Sequence, residues 1–182
     1  MLLGVQSYPS ISGLTNGMYV AVWECLLPDT PPYQIHLKFD NMSSTVGAYV
    51  ATESSNRLAN PRVSGLSTGG FVITWYDVIT KLVTFDIINS ELDTIMVEKF
   101  VAPSSTFEQS VPAVGALTNG RFVIAWQSEG QDLSGSGIFA QVYYPDGTER
   151  FLDCETNDDC NIVDAPICRS GKCEPCISSD IC

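Results

Sequence analysis

The chain has 182 residues, 21 acidic against 9 basic, a formal net charge of −12, one histidine and seven cysteines. Its 45% apolar content is enough to offset chain entropy with a packed core, so it is no disordered acidic tail. The charge argues against nucleic acid and anionic lipid, which need a basic face, and no apolar run approaches the ~20 residues of a membrane-spanning helix.

The chain opens MLLGVQSYPS, with neither a basic n-region nor an apolar h-region. That start is expected of a processed precursor or of an excerpt from a longer protein. Three segments then align without gaps: Pro9 to Trp23 (PSISGLTNGMYVAVW), Pro61 to Trp75 (PRVSGLSTGGFVITW) and Pro112 to Trp126 (PAVGALTNGRFVIAW). They are offset by 52 and 51 residues, and all three tryptophans of the protein, Trp23, Trp75 and Trp126, occupy the same slot. Self-similarity at this period marks a repeat architecture.

Within each unit a turn and a strand are legible. Asn16-Gly17, Gly69-Gly70 and Asn119-Gly120 are dipeptides that tolerate positive φ, as a tight hairpin requires. The strand after each turn, RFVIAW for example, is apolar at both parities. An antiparallel strand with one wet face should alternate instead, so each is expected to be covered on both sides. Third strands are predicted at Tyr33 to Phe39, Lys81 to Ile88 and Gly137 to Tyr144. Weaker fourth strands fall at Val46 to Thr52, Asp93 to Ala102 and Glu149 to Asp153. The expectation is all-β: three four-stranded antiparallel units over about residues 6–57, 58–108 and 109–153. A sheet apolar on both faces must be sandwiched between copies of itself, which makes the three tryptophans repeat-core residues.

The tail is of another kind. Cys154, Cys160, Cys168, Cys173, Cys176 and Cys182 lie within the last 29 residues, among polar residues that cannot build a core. Such a segment needs disulfides or a metal; the lone C-x2-C at Cys173 and Cys176, with no histidine nearby, favours disulfides and an oxidising compartment. Six cysteines allow 15 pairings, and spacing does not choose among them. Cys25, the odd one, is read either as unpaired or as a crosslink to a neighbouring subunit or to the tail.

The pattern P-x-h-x-x-L-x-x-G-x-F-V-h-x-W resembles the ~50-residue β repeats of large secreted and surface proteins of microbes, over roughly residues 6–153. That resemblance implies propeller-like blades. The C-x5-C echo of Cys154–Cys160 and Cys176–Cys182 is similar to short extracellular cysteine-rich modules, which implies that 154–182 is such a module, cut short.

Candidate chemistry is thin. His36 is the lone histidine and is expected on a wet strand face. Glu24, Asp77 and Asp86 are the acids near the tryptophans, but no acid recurs in the slot after Trp, as paired glycosidase carboxylates would require. Asp132 to Gly137 and the run Asp153, Glu155, Asp158 and Asp159 offer oxygen ligands for calcium without the density of a convincing site. Asn41-Met42-Ser43 is a glycosylation sequon. Three units leave two outer faces uncovered, so the expected function is non-enzymatic: an extracellular structural protein, a subunit of a fibre, coat or surface appendage, that self-associates through stacked sheets. The alternative is a glycan-binding adhesin, calcium-assisted in one variant, with its site on the loops after the tryptophans. No cofactor and no membrane insertion are expected.

Overall fold

The computed structural model describes residues 5–26, 34–40, 49–50, 57–89, 94–101, 107–131, 135–148, 167–169 and 172–174. The chain divides into two units, Met1–Thr148 and Glu149–Cys182. All regular structure among the described residues is β.

The first unit holds three antiparallel sheets in sequence order. The first comprises β1 (Val5–Gly13), β2 (Tyr19–Leu26), β3 (Gln34–Asp40) and the two-residue β4 (Tyr49–Val50). The second comprises β5 (Leu58–Gly65), β6 (Phe71–Asp77), β7 (Leu82–Ile88) and β8 (Thr94–Phe100). The third comprises β9 (Gln109–Ala116), β10 (Phe122–Glu129) and β11 (Ser136–Tyr143). Each sheet is a meander with its strands side by side in chain order. The third has three strands among the described residues rather than the expected four; the segment Glu149 to Asp153 lies outside them.

The turns repeat, with a correction to their type. Leu14 N–H donates to the Met18 carbonyl (2.8 Å) and Gly17 N–H to the Leu14 carbonyl (3.1 Å), enclosing a three-residue loop. Leu66/Gly70 and Leu117/Arg121 close the same loop in the other units. Only the glycine needs positive φ in the first and third (Gly17 +80°, Gly120 +86°). The asparagine instead caps: Asn16 Oδ1 accepts from Met18 N–H (3.1 Å) and Asn119 Oδ1 from Arg121 N–H (3.3 Å).

Two cores separate the sheets. Val20, Val22, Ile35 and Leu37 of the first pack on Phe71, Ile73 and Trp75 of the second. On the other side of the second sheet, Val72, Val83, Phe85 and Ile87 meet Phe122, Ile124, Trp126 and Tyr143 of the third. Period-2 geometry accounts for this layering. The tryptophan-bearing parity of each β-strand faces the preceding sheet, and the opposite parity faces the following one. An unbroken run of five buried residues across both parities occurs in the middle sheet, where Phe71 through Trp75 are all buried; in the first sheet Ile35, His36 and Leu37 are also buried in succession. Strand β10 and β2 up to Glu24 alternate buried with half-buried residues, each having one neighbouring sheet among the described residues instead of two, while Cys25 at the end of β2 is buried as well.

The sheets converge at their first strands. β1 lies against β5, and β5 against β9. Gly65 N–H donates to Ser12 Oγ (2.9 Å), and Ala116 N–H donates to Ser64 Oγ (3.0 Å). Donor and acceptor occupy the same slots of successive units. A Cβ at Gly65 would run into the Gly13 carbonyl oxygen, so only glycine permits that approach.

In the second unit, β12 (Ile167–Arg169) and β13 (Lys172–Glu174) pair antiparallel, with Cys168 opposite Cys173 in register. The cysteines Cys154, Cys160, Cys176 and Cys182 lie outside the described residues, as do Asn41 and the acids at 132, 153, 155, 158 and 159.

Candidate functional site

The first and third sheets each present one face with no other described sheet against it, although Cys25 and His36 on that face of the first sheet are buried, and the candidate site is this pair of outer faces. On the first sheet it is the tryptophan face. Tyr19, Ala21, Trp23 and Cys25 share a parity in β2, opposite Asp40, Lys38, His36 and Gln34 of β3. Trp23 is half-buried, whereas Trp75 and Trp126 are 1% and 4% exposed. A pocket of about 350 Å³ opens here, lined by Gln6, Ser7, Pro9, Ala21, Val22 and Trp23. The corresponding face of the second sheet carries Leu58, Val63, Ile73 and Trp75 and is filled by the first sheet. The pocket is the place a preceding sheet would occupy.

On the third sheet the outer face is the opposite parity. Val123, Ala125 and Gln127 of β10 stand opposite Val142, Ala140 and Ile138 of β11. Ile138 is 77% exposed and Ala113 and Ala140 are exposed beside it. Register gives Ile138 its meaning. It pairs with Gln127 as Ile35 pairs with Glu24 and Val83 with Tyr76, each at the slot just after the tryptophan. Ile35 and Val83 are fully buried against the next sheet, in the clusters holding Trp75 and Trp126.

The remaining sequence candidates have structural partners. Glu24 is buried, and its Oε1 accepts from Asn60 N–H at 2.6 Å, tying the first sheet to the second. Asp77 Oδ1 caps a turn by accepting from Ile79 N–H (2.8 Å) and Thr80 N–H (3.1 Å). Asp86 is buried on the face toward the first sheet. His36 is not on a wet face: it is 3% exposed, with its ring 6.2 Å from the Trp23 indole across the strand pair. Burial lowers its pKa below the usual imidazole value. Cys25 is a free thiol, fully buried, and burial raises its pKa, so it is neither exposed nor activated for crosslinking. No group of three metal-ligating side chains occurs among the described residues. No helix among them is long and apolar enough to cross a membrane.

Two features escape the Pro-to-Trp alignment. The residue before each proline, Tyr8, Asn60 and Val111, has left-handed φ (+53°, +54° and +49°) where β1, β5 and β9 bulge. The alignment also extends backward, because Gln6-Ser7 recurs as Gln109-Ser110. Gln109 is fully buried, and its Oε1 accepts from Val83 N–H at 2.9 Å, clasping the second sheet to the third. Extending the repeat three residues upstream of the proline would have revealed the match.

No protein-family model and no curated protein matches the sequence.

Proposed function

We propose that the protein is a non-enzymatic extracellular structural protein whose blade-like sheets stack on further copies to build a fibre, coat or surface appendage. One observation carries this reading: the third sheet exposes at Ile138 the residue that the other two sheets bury against their successors. Apolar side chains at an unpaired face favour association, at roughly 25 cal/mol per Å² removed from water. Contacts between unlike faces of identical copies give filaments where their rotation does not close into a ring. The extracellular setting rests on the cysteine density of 154–182 and the sequon at Asn41. Sedimentation velocity and negative-stain electron microscopy across a concentration series test the reading. Open-ended oligomers that lengthen with concentration are expected; a monodisperse monomer throughout would overturn it.

A second reading has its own observation. An indole beside the Gln6 amide and the Ser7 hydroxyl is a surface on which a sugar ring can stack. On this reading the protein is a glycan-binding adhesin, and its site is the Trp23 pocket rather than the loops after the tryptophans. A glycan array with a chelator control and the Trp23→Ala variant separates the two: saturable binding by the monomer, lost in the variant, favours the adhesin.

A further inference from the structure

We infer that the outer face of the third sheet docks on the outer face of the first sheet of a second copy, with Ile138 seated in the Trp23 pocket. The inference rests on the self-assembly reading and adds to it which faces meet, in what register and through which atoms.

The template is on display twice within one chain. At both internal interfaces an aliphatic residue in the slot of Ile138 packs in the same cluster as the next unit's tryptophan: Ile35 with Trp75, and Val83 with Trp126. The Trp23 face is built like that of the third unit. Its Gln6 matches Gln109, which accepts from the N–H of Val83, the residue in the slot of Ile138. Carried to the joint between copies, Gln6 Oε1 accepts from Ile138 N–H. A second bond follows in the same way. Glu24 accepts from Asn60 N–H, so Gln127, in the slot of Glu24, accepts from the N–H of Tyr8, in the slot of Asn60. Ala21 stands where the second and third units have Ile73 and Ile124; that smaller side chain leaves the hollow of about 350 Å³ that an isoleucine enters.

The match also has a defined weak point. Ser12 and Ser64 accept from the next unit's N–H, but Gly115 occupies their slot in the third unit and has no hydroxyl to offer. A joint between copies lacks that bond and is weaker than the two joints within a chain.

Complementation of one-sided variants tests the pairing. Ile138→Asp blocks one face and Ala21→Arg blocks the other; both positions face outward, and circular dichroism verifies that each variant folds. If the pairing is right, each variant alone stays monomeric at concentrations where the wild-type chain assembles, with affinity reduced at least ~100-fold for Ile138→Asp. An equimolar mixture then forms a 1:1 dimer and nothing larger, because each partner contributes its one intact face. Gln6→Ala, which removes a single acceptor, weakens assembly by about 3- to 10-fold. Assembly of the wild type that both blocking variants leave unchanged overturns this face pairing while self-assembly stands. A wild type that never assembles overturns both.

Discussion

Val111 shows how strain is placed in this protein. It is β-branched, 57% exposed, and held at φ +49° immediately before a proline. A left-handed conformation costs a β-branched residue about 1–3 kcal/mol, and Tyr8 and Asn60 carry the same conformation in their units. The cost is sustained because the bulge re-aims each first strand at the entrance to the sheet. Asparagine, present in the second unit, tolerates this region best of the three. The Val111→Asn substitution is therefore expected to stabilise by about 1 kcal/mol and to raise the melting temperature by about 2–4 °C. Differential scanning calorimetry checks this; a lower melting temperature would show that the valine side chain contributes packing there despite its exposure.

At the scale of the element, the same strand motif meets two fates. In the middle sheet both parities of β6 are buried, and Trp75 is enclosed between β6 and the first sheet. In the first sheet the homologous Trp23 looks outward beside a pocket. Truncating Trp75 to alanine removes a fully packed indole and should cost about 3–5 kcal/mol. Truncating Trp23 should cost only about 1–2 kcal/mol. Urea titrations of the two variants give both values, and equal losses would contradict the layered arrangement. The sequence motif itself does not disclose this difference, because PxxxxLxxGxFVxxW specifies which residues share a face and not whether a neighbour covers it. For the same reason the buried state of His36 was hidden: Gln34, His36 and Lys38 share one polar parity, and their position across from the Trp23 indole is not visible in the strand itself.

For the whole molecule, the repeat period and the turns were enough to lay out three antiparallel sheets in order, with strand positions within a few residues. The stacking polarity was not legible. It depends on which parity meets which, and that is settled by long-range contacts such as Ser12 to Gly65 and Gln109 to Val83. The outer faces follow from the polarity. An array of layers, each offering a tryptophan face to the layer before it, ends among the described sheets with one tryptophan face and one Ile138 face that no further described sheet covers.

The three indoles report this arrangement directly. Acrylamide quenching of the wild-type chain, repeated at rising protein concentration, measures how many are open to solvent. With Trp75 and Trp126 enclosed and Trp23 half-open, quenching in dilute solution should come from a single class of indole. That class should vanish as copies assemble and Ile138 covers the Trp23 pocket. Three equally quenchable tryptophans, or an accessible fraction that stays constant while assembly proceeds, would contradict the account.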